Sequence, residues 1–133
     1  MRRINLKCAG LCSAGVSLIG IMVHLLMIGH IIPYSWLNGG RSTSYDAAVS
    51  TSMTSSVILG MKMIIALIGS RLIPIKLRPF WGAVLTIVLV GMLPFGLLGV
   101  IQQFLGTKFE KGLMSGVTIV GLLADIRIAM EKR

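Results

Sequence analysis

The chain has four acidic side chains, and one of them, Asp125, falls near the end of an apolar run. Lys62 also lies inside an apolar run, as the one charged residue between positions 47 and 70. A cation at the centre of a span costs about 2.5–3.5 kcal/mol on insertion scales, so a lysine there needs a partner or a task. Lys62 stands eight residues before Ser70. At 1.5 Å per residue that is about 12 Å of helix, which puts its amine at a depth comparable with that of Asp125. A Lys62–Asp125 ion pair is therefore expected. Its simpler role is to fix helix packing; the sharper one is to move a solute or a proton. Arg127, two positions beyond Asp125, points elsewhere, and Glu131, four further on, is its expected partner.

His24, Met27 and His30 recur at three-residue spacing. Neutral imidazole and thioether together can hold a soft metal such as Cu(I). No cysteine or carboxylate stands near to complete the set, and methionine commonly fills irregular helix contacts, so packing is the simpler reading and no metal or other cofactor is expected. Cys8 and Cys12 are one helical turn apart, which is not the spacing of a redox pair, and they read as small residues of a helix end. Pro94, between Gly91 and Gly96, is expected to kink its helix, with Gln102 and Gln103 beyond it. The densest polar and aromatic tract runs from Pro33 to Asp46. Within it Trp36, Asn38, Arg41 and Asp46 are candidates for binding an anion, a lipid headgroup or a partner; equally, Arg41 and Asp46 could close a capped turn on each other.

These residues sit in a 133-residue chain that is 55% hydrophobic and 13% charged, with a formal net charge of +9. Soluble domains carry about 25% charge, so the composition points to a basic integral membrane protein and away from a nucleic-acid binder. Runs of 18 or more largely apolar residues can cross a bilayer core about 30 Å thick. Four qualify, at about 8–32, 47–70, 79–105 and 112–130. The second carries Ser50, Thr51, Ser52, Thr54, Ser55 and Ser56, and is expected to turn those hydroxyls toward neighbouring helices as an enclosed member of the bundle. Thr43 with Asp46 has the form of a capping box at its start. The connections are short, so an all-α antiparallel four-helix bundle is expected, with sequence neighbours side by side. Gly112 and Gly116 on the fourth span, and Ala9, Ser13 and Ser17 on the first, form small faces that let helices approach closely, within the bundle or between copies.

Orientation follows the lysines and arginines. Arg2, Arg3, Lys7, Arg71, Lys76, Arg78, Arg127, Lys132 and Arg133 fall on one side, whereas Arg41, Lys108 and Lys111 fall on the other. The richer side is expected to be cytoplasmic, with both termini inside. Aromatic residues agree: Tyr34, Trp36, Tyr45, Phe104 and Phe109 lie at the outer boundary and Phe80 and Trp81 at the inner one. The Arg2-Arg3 start is followed by too long an apolar run for a cleaved signal, and it reads as an uncleaved first span.

The tract Pro33-Tyr34-x-Trp36-x-Asn38-Gly39-Gly40-Arg41 is joined by Gly106-Thr107-x-Phe109-Glu110-Lys111, by Met114-Ser115-x-Val117-Thr118 and by Arg127-x-Ala129-x-Glu131. Together they resemble small bacterial four-span membrane proteins of unassigned function; the resemblance brings no activity with it, and a bacterial cell-membrane location is expected. Two histidines, two cysteines and four acids assemble no nucleophile–base pair, zinc motif or phosphate loop, so an enzyme is not expected. The leading expectation is an accessory subunit or scaffold in the lipid bilayer, as a homo-oligomer or in a larger membrane complex. A homodimeric small-solute transporter or channel using Lys62, Asp125 and Pro94 is the alternative, and a holin-like pore former is a third.

Overall fold

The computed structural model describes residues 5–132. It is all-helical, with four helices long and apolar enough to cross a membrane. The first, α1, spans Leu6–Ile28; α2 spans Tyr45–Gly69; α3 spans Pro79–Leu105. The fourth opens in a π turn, Glu110–Met114, and continues as α4, Ser115–Ala129. Large apolar side chains such as Ile87 and Phe95 point outward, 71% and 74% exposed, a surface suited to lipid. The arginines Arg2, Arg3 and Arg133 lie outside the described residues.

Local chemistry sets the helix ends. The Lys7 N–H donates to the Asn5 side chain (2.9 Å) at the start of α1, and Pro79, which needs no N–H partner there, opens α3. At α2 the cap is Ser44, which accepts from the Ala47 N–H (3.3 Å), rather than the expected Thr43–Asp46 box. The helix begins one residue later than that box requires, and Asp46 is left in the first turn, where the positive end of the helix favours an acid. The first helix stops at Ile28, four residues short of the expected Ile32. His30 takes a left-handed φ of 59°, and the Ile31 N–H turns back to the Leu26 carbonyl (2.9 Å). Arg71, with φ 60°, ends α2 in the same way, the Leu72 N–H reaching Leu67 (3.0 Å). Both are Schellman endings whose left-handed position is held by a non-glycine residue, with Gly29 one residue before His30 and Gly69 two before Arg71.

In the bundle, α1 is the central helix, flanked by α2 on one side and α4 on the other, and α3 packs on α4. Thus α1 and α2, and α3 and α4, are neighbours as expected, whereas α2 and α3 touch little. The reason lies in α1. Ala9, Gly10, Ser13, Ser17 and Gly20 are buried, so two helices approach it at once. A Cβ on Gly10 would collide with Ser70 at the end of α2, one on Gly20 with Leu59, and one on Gly121 of α4 with Val16 of α1. Meanwhile Gly112 and Gly116 face open space and take no part in packing within the bundle.

The hydroxyls of α2 correct the expectation of an enclosed helix. Ser52 is buried, but Thr51 and Thr54 are exposed and donate to the Ala47 and Ser50 carbonyls of their own helix, each at 3.0 Å. A hydroxyl satisfied four residues back needs no neighbour. Along α3 the helix runs through Pro94, which faces outward and has no N–H to give to the carbonyl four residues before it.

The seam at α1 gives a direct test. Gly121→Leu, forced into Val16, should lower the unfolding free energy in detergent by about 1–3 kcal/mol. Gly91→Leu, which meets open space, should leave it unchanged or slightly raised, as followed by circular dichroism during chemical unfolding.

Candidate functional site

Two polar groupings interrupt the apolar bundle. The first is at the end nearer the chain termini. There Lys62 Nζ lies 2.8 Å from Asp125 Oδ2, with the two side chains 20% and 12% exposed. Ser13, fully buried on α1, donates its hydroxyl to the other oxygen, Oδ1. Ser17 donates to the Ser13 carbonyl (3.0 Å) and extends the polar seam one turn along α1. Both carboxylate oxygens of Asp125 are thereby matched, one by a charge and one by a hydroxyl, as a carboxylate in an apolar setting requires. Arg127 is engaged with Glu131 at 3.1 Å, four residues on.

The second grouping is at the far end of the bundle, which carries the α1–α2 and α3–α4 connections. Asn38, Gly39 and Gly40 take consecutive left-handed φ values of 56°, 67° and 68°. This turns the Gly39 N–H inward onto the carboxylate of Glu110, 3.2 Å and 3.1 Å from its two oxygens. Glu110 also accepts from the Thr107 N–H (2.8 Å), while Thr107 Oγ1 accepts from the Glu110 N–H (3.3 Å). That reciprocal pair is a capping box, and it starts the fourth helix. Thr107 donates its hydroxyl to the Trp36 carbonyl (2.6 Å), and the Trp36 and Phe109 rings lie 5.5 Å apart. One carboxylate, 4% exposed, therefore ties the first connection to the start of the fourth helix. Glu110 was not among the site residues expected from sequence, although the Thr107-x-x-Glu110 spacing is itself a helix-start signal.

Beneath this pinned loop lies a cavity of about 320 Å³. It is lined by Gly20, Val23 and His24 of α1, Thr51 and Ser55 of α2, Gln102 and Gln103 of α3, Glu110 and Met114, and by Leu37, Asn38, Gly39 and Arg41 of the loop. His24 is oriented by Ser52, whose Oγ is 3.0 Å from its Nδ1. The amide nitrogen of Asn38 and the side-chain carbonyl oxygen of Gln103 are enclosed, each with under 1 Å² of accessible surface, and have no hydrogen-bond partner among the described residues. By helix rise, Ser13 is about 10 Å deeper than Gly20, so the ion pair sits well below the cavity floor. Leu59 of α2 packs on Gly20.

The expected site residues separate accordingly. Lys62 and Asp125 come together. Asn38 and Arg41 both line the cavity, but Trp36 contributes its carbonyl to Thr107 and its ring to the surface. Arg41 and Asp46 do not pair: Asp46 is exposed on the first turn of α2, and Arg41 folds over Gly39 instead. The three candidates for a soft metal diverge. His24 faces the cavity, Met27 is fully buried in an apolar cluster, and His30, beyond the helix end, stacks on Tyr45 at 3.9 Å. They were expected on one helix, and the left-handed turn at His30 removes it from that face. Pro94 is absent from the cavity wall, to which α3 contributes only its two glutamines. No protein-family model, curated protein or solved structure matches the chain, so these geometries carry the functional reading.

Charge exchange tests the pair. Lys62→Asp and Asp125→Lys alone should each lower stability by about 3–5 kcal/mol, since each leaves a buried charge uncompensated. The double exchange should recover a substantial part of the loss in the same unfolding assay, and recovery no better than either single variant would remove the pairing from the account of stability.

Proposed function

We propose that this chain is a multi-pass membrane protein without a catalytic centre, and that its far-end cavity admits a small polar solute on a path closed by the Lys62–Asp125–Ser13 cluster. The observation that carries this reading is the cavity itself. A chamber of about 320 Å³ lined by His24, Thr51, Ser55, Gln102 and Gln103 in an otherwise apolar bundle is a space suited to something small and polar. The ion pair below it is a closure that can part only if its charges find other partners. This is the small-solute transporter or channel reading. In it Pro94 plays no direct part, because it faces away from the chamber.

The accessory-subunit or scaffold reading stands second, favoured by the open face at Gly112 and Gly116, where another helix could approach. In either case the bacterial cell membrane is the proposed location. The side bearing Arg71, Lys76, Arg78 and Lys132 is assigned to the cytoplasm by its excess of basic residues, with both termini inside and the cavity opening outward.

Two measurements test the proposal. Alkaline phosphatase fused after Lys132 should be inactive, and the same enzyme inserted after Gly40 should be active; the reverse pattern overturns the orientation. Proteoliposomes holding the chain should take up small polar solutes such as glycerol, glycine or glycolate faster than empty liposomes, with the gain lost in Lys62→Ala and kept in Lys62→Arg. No uptake of any solute, together with stable co-purification of one membrane partner, would favour the subunit reading.

A further inference from the structure

The chemical class of the solute follows from the hydrogen-bonding atoms that a solute can reach. This inference rests on the cavity reading above and deepens it. Two charged residues line the cavity, and they have opposite signs. Glu110 is 4% exposed, and its oxygens already accept from the Gly39 and Thr107 N–H groups. Arg41 is an exposed side chain of the loop. What the helices themselves present to the space is neutral.

His24 is held by a hydroxyl that behaves differently from its neighbours. Thr51, Thr54 and Ser56 donate to carbonyls four residues back in α2, at 3.0, 3.0 and 2.8 Å. The fully buried Ser52 instead meets His24 Nδ1 at 3.0 Å, the one partner of its hydroxyl among the described residues. A buried hydroxyl hydrogen without an acceptor is costly, so Ser52 donates to Nδ1 and the neutral ring carries its hydrogen on Nε2. That nitrogen has no partner among the described residues and, unlike the Asn38 nitrogen and the Gln103 oxygen, is not enclosed. It is a donor open to a solute. Thr51 has given its hydrogen to the Ala47 carbonyl, so toward a solute it can only accept. Ser55, four residues on and on the same face of α2, has no partner for its hydroxyl among the described residues and can do either.

A carboxylate only accepts and brings nothing to the Thr51 oxygen, whereas an ammonium only donates and would face the His24 N–H group. A hydroxyl gives and takes at one atom. We propose that the cavity binds a small uncharged polyol such as glycerol. His24 Nε2 donates to a solute hydroxyl, Thr51 Oγ1 accepts from one, and Ser55 serves in either sense.

Two readouts on the full chain test this, both at mildly alkaline pH, where an ordinary imidazole is neutral. In phosphatidylcholine proteoliposomes, light scattering should show glycerol and erythritol entering faster than into empty vesicles, and glycine and glycolate gaining nothing. Thr51→Val, Ser55→Ala and His24→Phe should each cut the glycerol gain by about three- to tenfold, the scale of one lost hydrogen bond, and His24→Gln, which keeps a donor, should retain part of it. Unchanged circular dichroism shows that each variant is folded. In nitrogen-15 histidine spectra, with His24 assigned by its loss in His24→Phe, the ring should be protonated at Nε2, and glycerol should shift that signal saturably. If glycolate or glycine enters as fast as glycerol, if the three variants leave glycerol uptake unchanged, or if the ring is protonated at Nδ1 instead, the polyol assignment is overturned and the cavity reading stands. Glycerol that shifts the ring without entering supports the assignment and overturns the path. If no solute enters and glycerol shifts nothing, both fall together.

Discussion

A carboxylate placed among apolar helices must be matched or it destabilises everything around it, and Asp125 is matched by groups on two other helices. Ser13 reaches it from α1 and Lys62 from α2. These contacts fix the rotation of three helices at one level. Ser13 can serve only because the face of α1 that carries it is made of small residues, so the α4 backbone comes close enough for a short hydroxyl to reach the acid. Packing and electrostatics depend on each other here: a larger residue on that face would push the acid out of reach of its donor.

The far end repeats this logic with backbone donors in place of side chains. Glu110 takes the Gly39 and Thr107 N–H groups, and three consecutive left-handed residues are the condition for the first of these to point inward. With the loop held down, α1, α2 and the end of α3 are roofed without being filled, and the chamber results. The small faces of α1 stop at Gly20. Above that level α1 and α2 still close on each other through Met27 and Ala48, while beside them polar side chains line the cavity.

What was readable in the sequence, and what was not, follows from the range of the forces involved. The Lys62–Asp125 and Arg127–Glu131 pairs were expected because charges are rare in apolar runs and helical spacing limits their choices. The helix ends were read less well. His30 and Arg71 adopt left-handed backbone that glycine would normally supply, so α1 is shorter than its apolar run and His30 leaves the face it was expected to share with His24 and Met27. The hydroxyl-rich start of α2 was expected to be enclosed, but its threonines are satisfied by their own helix. Arg41 and Asp46 are five residues apart and of opposite charge, yet the capping serine places one over the loop and the other on the helix.

The sequence by itself determined four helices long and apolar enough for a membrane, since hydropathy and length are properties of each segment alone. It also determined the ion pair, because few charges compete for one another in those segments. Only the tertiary structure decided that α1 is the centre of the bundle, that α2 and α3 stand apart despite being consecutive, and that Glu110 reaches across to a loop about seventy residues earlier. The cavity belongs to that second group. It is a space left by four helices and a roof, and no single segment carries the pattern of a void whose walls come from all of them.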